Sequence, residues 1–383
     1  MTLIDKILRR AVKTALQLIQ LAESWIFGNT APIALVPPNL SAADREDLMR
    51  RMAFYLPKAD SACTIRHSLG LSEVFSSRPV LLYGTPTPCS WWLELRAAVF
   101  DVDPRRNPQD GWAWCRFSKV GVPPSPGAKS ARERLRTRIE QLQAIGLLKC
   151  YIFGTGASLA QSIDLDWSDG YRIVCNTIVR DEKLWRHIDP HFIVAGDAIY
   201  HFGFTEFART FRADLANRLR ETDTFFVYPD LFNEIVAREF SEFGSRLIPI
   251  PTGRHFDIQV DLTRRFSLPA LGNVLNVLLL PLACTLSNNV NLWGFDGRAP
   301  DDKLFWSNST QHSYPELMNS LQAAHPAFFA HYLPADKPDA YVKLVHGDQL
   351  DYALCRAEAQ GWQFNMMHRS WTPTLQKRVS STD

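Results

Sequence analysis

The run Cys150-Tyr151-Ile152-Phe153-Gly154-Thr155-Gly156-Ala157-Ser158-Leu159 is the most informative part of this 383-residue chain. Four apolar residues lead directly into a turn with two closely spaced glycines. A buried strand that ends in such a turn can bring backbone amides close to a phosphate, because glycine has no Cβ to block the approach. The third glycine of the dinucleotide fingerprint and the Gly-Lys-Ser/Thr of a P-loop are both missing. The pattern predicts a nucleotide or phosphate site, with a purely structural strand and turn as the alternative.

Similar apolar runs recur along the rest of the chain and alternate with helical patterns. Near-continuous apolar strands separated by helices are typical of a parallel sheet covered on both faces. The predicted strands are Cys150–Phe153, Tyr171–Cys175, Phe192–Ala195, Phe225–Tyr228, Leu247–Ile250 and Val290–Trp293. The predicted helices are Glu206–Arg220, Leu231–Phe240, Gly272–Leu286, Pro315–Tyr332 and Asp348–Gln360. We therefore predict an α/β fold with a Rossmann-like, mostly parallel sheet, and expect its ligand beyond the carboxyl ends of the strands.

Composition divides the chain into four predicted segments. Residues 1–29 form an amphipathic helix, 30–121 a small α/β domain, 122–129 a Pro-rich linker, and 130–375 the Rossmann-like catalytic domain. The elements predicted in the small domain are strands at Pro32–Val36, Val80–Tyr83 and Ala98–Val102 and a helix through Phe54, capped by Asn39 or Ser41. The role of this small domain is not evident from its residues.

The first helix carries a basic face and an apolar face over residues 1–27. Such a helix can lie on an anionic membrane surface, or it can pack on its own domain or a partner. No apolar stretch approaches the roughly 18 residues that a spanning helix needs. We expect a cytoplasmic protein, with peripheral contact at the inner face of the cell membrane as one of the two interpretations.

The overall composition limits the class of protein. Hydrophobic residues make up 46% and charged residues 21% of the chain, which is typical of a globular protein. A net charge of +2 is too small to predict nucleic-acid binding. The seven cysteines form no CxxC pair, so neither a zinc site nor a disulfide framework is predicted.

The order of five short motifs resembles a known family. These motifs are Gly154–Leu159, Ile173–Asn176, Phe192–Asp197, Asn291–Asp296 and Gln311–Ser313. Together they resemble the bacterial sialyltransferases that decorate lipooligosaccharide, and equally the MptE-like group of pterin diphosphokinases and flagellin-modification proteins. The resemblance covers roughly Leu148 to Tyr332, and its specificity comes from the order of the motifs.

The sialyltransferase resemblance implies an inverting, metal-independent glycosyltransferase. It would use a CMP-activated acidic sugar, sialic acid or a related ulosonic acid, as the donor substrate and a cell-surface glycan as the acceptor, without a cofactor. The residues that the resemblance assigns to the nucleotide are Gly154, Thr155, Gly156, Ser158, Asn176, Asp197, Gly294 and Asp296. The family's tyrosines near the leaving phosphate are missing, and Arg298 and Lys303 are candidates to neutralise that phosphate instead. Asp197 stands where the family usually has an amide or a similar polar residue.

His312 is implied as the general base that takes the proton of the acceptor hydroxyl. Histidine titrates near neutral pH, which suits a base for a sugar hydroxyl. A histidine that caps the helix starting near Ser313 is the structural alternative.

Two other functions remain open at this point. An MptE-like diphosphokinase would use ATP and magnesium, which needs carboxylates to hold the metal. The candidate carboxylates are Asp197, Asp230, Asp296, Asp301 and Asp302. The chain could also be a non-catalytic member of a surface-polysaccharide assembly system.

Overall fold

The computed structural model describes residues 32–56, 63–69, 73, 76, 78–84, 98–120, 127–299, 313–332 and 347–379. The described residues form two compact units. The smaller unit contains those up to Val120 together with His325–Phe328, and the larger unit contains the others. The predicted helix at 1–29 lies outside the described residues, as does most of the predicted linker. A helix begins at Gly127, inside that predicted linker.

The smaller unit contains a four-stranded parallel sheet with the order β2-β1-β3-β4. Its elements are β1 (Ile33–Leu35), α1 (Ala42–Tyr55), β2 (Thr64–Arg66), β3 (Val80–Leu82), β4 (Val99–Asp101) and α2 (Asp110–Ser118). The Ser41 hydroxyl accepts a hydrogen bond from the Asp44 amide at 3.1 Å and caps α1, as predicted. The sequence did not predict β2, an edge strand whose Thr-Ile-Arg residues are partly or fully exposed.

A buried ionic cluster lies in the smaller unit. The Asp110 carboxylate accepts hydrogen bonds from Arg51 Nη1 at 3.0 Å and from His325 Nδ1 at 2.8 Å. All three side chains are at most 1% exposed. A buried carboxylate or guanidinium group is stable away from water only when it is paired and hydrogen-bonded. Residue His325 is therefore part of the interior of the smaller unit, although it is far from that unit in sequence.

The larger unit contains a seven-stranded sheet in which all neighbouring strands are parallel. Its strands are β5 (Lys149–Phe153), β6 (Gly170–Cys175), β7 (Phe192–Val194), β8 (Phe225–Pro229), β9 (Leu247–Ile250), β10 (Asn289–Trp293) and β11 (Gln363–Met366). Every residue of β7 is 0% exposed, as expected for a central strand covered on both faces. The predicted α/β Rossmann-like fold is confirmed, and β11 is an additional strand that the sequence did not predict.

Helices and short 3₁₀ segments connect the strands of the larger unit. The helices are α3 (Gly127–Gln143), α4 (Glu182–Ile188), α5 (Glu206–Glu221), α6 (Asn233–Glu239), α7 (Leu280–Leu286), α8 (Met318–Ala324), α9 (Pro326–Tyr332), α10 (Asp348–Glu358) and α11 (Pro373–Gln376). A π-helical turn at Leu275–Leu279 precedes α7. The single helix predicted over Pro315–Tyr332 is wrong, because Pro326 lacks the amide that would continue α8.

The strand order places a topological switch point between β5 and β10. The order is β11-β10-β5-β6-β7-β8-β9, so the chain first moves outward from β5 and then returns to its other side at β10. In sheets of this kind the connections on the two sides of a switch point diverge and leave a crevice at the carboxyl ends of the strands. The turn at Gly154 follows β5 and the turn at Gly294 follows β10, so both lie at this crevice.

Candidate functional site

The turns that follow β5 and β10 are in direct backbone contact. The Gly154 amide donates to the Trp293 carbonyl oxygen and the Gly156 amide donates to the Gly294 carbonyl oxygen, each at 2.8 Å. A Cβ atom on Gly154 would lie 2.5 Å from the Gly294 oxygen. A Cβ atom on Gly294, where φ is +79°, would lie 2.3 Å from the Gly154 oxygen. Both glycines are therefore needed for the close approach of two strand ends.

This contact changes the interpretation of the glycine turn. The sequence predicts that its amides approach a phosphate, but the amides of Gly154 and Gly156 already have partners in the turn after β10. The Ser158 amide donates to the Asp296 carboxylate, at 3.1 Å to Oδ1. Thr155 lies in the same turn and is partly exposed. The role of these residues in nucleotide binding stays a prediction, while their structural role is to join β5 to β10.

A serine, an aspartate and a histidine meet at this junction. Ser158 Oγ lies 2.9 Å from Asp296 Oδ2 and 2.8 Å from His368 Nε2. The Gly294 amide donates to the same His368 Nε2 at 3.0 Å. Three strand ends are thus linked, since His368 follows β11, Asp296 follows β10 and Ser158 follows β5. A polar cluster of this composition can hold or move a proton.

Sequence reasoning missed His368 altogether. The residue is two positions beyond the end of β11, and β11 has the sequence Gln-Phe-Asn-Met with an exposed first residue. Its alternation of polar and apolar residues is the signal that was available, because this pattern is typical of a half-buried strand. Without β11 as a strand, nothing placed His368 at the carboxyl edge of the sheet.

Asn176 begins the 3₁₀ segment that follows β6, and β6 is the neighbour of β5 in the sheet. Its backbone has a φ of +52°, a left-handed conformation that is rare for residues other than glycine. Its Oδ1 atom is buried and has no hydrogen-bond partner. A buried acceptor without a donor costs about 1–3 kcal/mol, and strained backbone of this kind is concentrated at functional sites. Asn176 therefore lies at the carboxyl edge of the sheet, where the sequence predicts the nucleotide, and its Oδ1 atom can accept a hydrogen bond from a ligand.

Asp197 follows β7 and is held by its own turn. Its Oδ1 atom accepts hydrogen bonds from the amides of Ile199 and Tyr200 at 2.9 and 3.0 Å. Burial raises the pKa of Asp197 to about 6, although these two amides act in the opposite direction. The Asp197 amide donates to His201 Nδ1, and burial together with the nearby Arg212 lowers the pKa of His201 to about 3. Asp197 can therefore exchange a proton near neutral pH, whereas His201 stays neutral.

The other predicted site residues are distributed as follows. Arg298 is partly buried and lies two residues beyond Asp296. His312, Lys303, Asp301 and Asp302 lie outside the described residues. Asp230 begins a 3₁₀ segment after β8, so the aspartates after β7, β8 and β10 belong to separate strand ends. Among the described residues, no group of three His, Cys, Asp or Glu side chains is arranged to hold a metal ion.

Comparisons with known proteins leave the family open. No family model, curated protein or solved structure matches the chain. The resemblance to the sialyltransferases therefore rests on the five motifs alone. In the part of the chain that the structure describes, no helix is long and apolar enough to cross a bilayer.

Proposed function

We propose that the larger unit binds a nucleotide at the carboxyl edge of its sheet and that the protein is an inverting, metal-independent glycosyltransferase. The donor would be a CMP-activated acidic sugar, and the acceptor a cell-surface glycan. The observation that supports a nucleoside at this edge is the buried, unpaired Oδ1 of Asn176, one strand away from the switch point.

The chemistry of that oxygen favours one part of the ligand. An amide oxygen accepts hydrogen bonds only, so its partner must carry an N–H or O–H group. The ribose hydroxyls and the exocyclic amine of cytosine carry such groups, whereas an ionised phosphate does not. Asn176 therefore suits the nucleoside of CMP, and the phosphate would lie elsewhere along the edge.

In the proposed reaction, an acceptor hydroxyl oxygen attacks the anomeric carbon. The bond from that carbon to the phosphate oxygen breaks, its electron pair leaves with CMP, and the hydroxyl proton passes to His312. Arg298 and Lys303 would neutralise the departing phosphate. Ser313, the residue after His312, has a carbonyl oxygen that accepts a hydrogen bond from Arg180, four positions after Asn176, and the role of His312 itself stays a prediction.

The test uses the replacement Asn176→Gly, because glycine adopts the left-handed conformation without strain. Removing the unpaired oxygen and the strain should leave the melting temperature of the ligand-free protein unchanged or higher. The same variant should bind CMP about 10- to 100-fold more weakly, since it lacks one hydrogen bond made to a buried group. Binding is measured by thermal shift with CMP, CDP, UDP, GDP and ATP, each with and without magnesium.

Asp189→Gly is the matched control. Asp189 also has a left-handed backbone, with φ of +48°, but it ends α4 and its side chain is 69% exposed. The Asp189→Gly variant should bind CMP with the affinity of the wild type. Unchanged CMP affinity in Asn176→Gly would contradict the proposal, and a shift only with ATP and magnesium would favour the diphosphokinase.

A further inference from the structure

His368 connects three strand ends through one ring nitrogen. Its Nε2 atom lies 3.0 Å from the amide nitrogen of Gly294 and 2.8 Å from Ser158 Oγ. The ring also packs edge to face against Trp293, with centroids 5.0 Å apart. The imidazole therefore touches the turn after β5 and the turn after β10, and it reaches both from the end of β11.

The hydrogen bonds determine the protonation state in which this connection is made. A backbone N–H can only donate, so Nε2 must be an acceptor toward Gly294. The ring hydrogen is then on Nδ1, which lies 2.8 Å from the Arg369 carbonyl oxygen and donates to it. The contact with Gly294 thus requires a neutral imidazole with its hydrogen on Nδ1.

Adding a proton to Nε2 changes these contacts in opposite ways. An N–H on Nε2 can donate to Ser158 Oγ, whose hydroxyl then donates to the Asp296 carboxylate. The same N–H points at the Gly294 amide, which loses its acceptor. Charged residues next to this connection include Asp296, reached through Ser158, and Arg369, the next residue in the chain, whose guanidinium stacks on Trp371 with 4.7 Å to the ring centroid.

We infer that His368 is a positioning residue of the candidate site: as a neutral acceptor it holds the turns after β5 and β10 at their close spacing. The inference rests on the proposed function only where it concerns CMP. Removing this acceptor releases the Gly294 amide and loosens the glycine contact beside the nucleotide. Ligand affinity should therefore fall when the acceptor is lost.

The test compares His368→Gln with His368→Ala. The Gln side chain can place an oxygen acceptor near the position of Nε2, whereas Ala removes the acceptor. The first readout needs no ligand: hydrogen exchange in the peptide that contains Gly294, corrected for the intrinsic exchange rate. The second readout is the affinity for CMP.

His368→Ala should lower the protection of this peptide and the CMP affinity about tenfold each, the effect of losing one hydrogen bond. His368→Gln should keep both values close to those of the wild type. His187→Gln is the control, because His187 is an exposed histidine that hydrogen-bonds the Leu165 carbonyl oxygen. It should behave as the wild type does.

Two results would overturn the inference: protection in His368→Ala that equals that of the wild type, or His368→Gln that behaves like His368→Ala. If no variant binds CMP but the exchange pattern holds, the positioning role is supported and the proposed nucleotide is wrong. The exchange measurement therefore separates this inference from the proposed function.

Discussion

Gly156 shows how a single residue joins the two turns of the site. Its φ is −72°, which any residue can adopt, so backbone strain does not explain why a glycine is present. The reason is space: a Cβ atom would lie 2.0 Å from Asp296 Oδ2 and 2.7 Å from the Gly294 carbonyl oxygen. An alanine could fit only if the turn after β10 moved.

We expect Gly156→Ala to lower the free energy of unfolding by about 1–3 kcal/mol, as overpacking of a close contact does. The displacement of Asp296 should also weaken its bonds to Ser158 and so reduce ligand binding. Chemical denaturation and the CMP thermal shift measure the two effects.

Gly244→Ala is the control for that change. A Cβ atom on Gly244 would meet nothing within 4 Å, and the residue lies in a short 3₁₀ segment. This replacement should change stability by no more than about 0.5 kcal/mol, or increase it slightly by restricting the unfolded chain. Equal effects of the two replacements would show that the contact with Asp296 is unimportant.

At the scale of elements, β11 holds His368 in place through its pairing with β10. Asn365 Nδ2 donates to Asn289 Oδ1 at 2.9 Å and to Asn291 Oδ1 at 3.2 Å. Asn291 Nδ2 also donates to Asn289 Oδ1, at 3.1 Å. These three amides form a cross-strand network on one face of the sheet, which stabilises the register of the edge strand.

We expect Asn365→Leu to destabilise the protein by about 1–2 kcal/mol, because Asn291 Oδ1 loses its donor while the replacement keeps a similar volume. Hydrogen exchange of β11 and of the peptide with His368 should become faster. Gln363→Leu, an exposed position of the same strand, should change stability by no more than about 0.5 kcal/mol. The explanation would be wrong if Gln363→Leu accelerated exchange as much as Asn365→Leu.

The buried strands of the larger unit could be predicted to within one or two residues, because runs such as Phe192–Val194 are apolar throughout and end in glycine or polar residues. The edge strands β2 and β11 were not predicted, because Thr64–Arg66 and Gln363–Met366 contain polar residues and give only a short strand signal. Because β11 was not predicted, His368 could not be placed at the candidate site. His368 is brought to Ser158, 210 positions away in sequence, because β11 pairs with β10 and β10 pairs with β5, which no local pattern contains.

At the scale of the whole molecule, the chain passes from the larger unit into the smaller one and back again. The segment His325–Phe328 follows α8 in sequence and includes the first three residues of α9, yet it belongs to the smaller unit. Its contacts there are specific: the Ala327 amide donates to the Pro104 carbonyl oxygen at 2.9 Å, and Phe328 stacks on Trp112. The smaller unit is therefore complete only with residues from the second half of the chain.

Because the segment His325–Phe328 belongs to the smaller unit, a replacement within it should change the stability of that unit. Calorimetry should show two unfolding transitions, one for each compact unit. His325→Ala removes one partner of the buried Asp110 carboxylate and should lower the stability of the smaller unit by about 2–3 kcal/mol, while the transition of the larger unit moves much less. His331→Ala, an exposed position on α9, should move neither transition by more than about 0.5 kcal/mol. A fall confined to the larger unit's transition in His325→Ala would show that the segment does not stabilise the smaller unit.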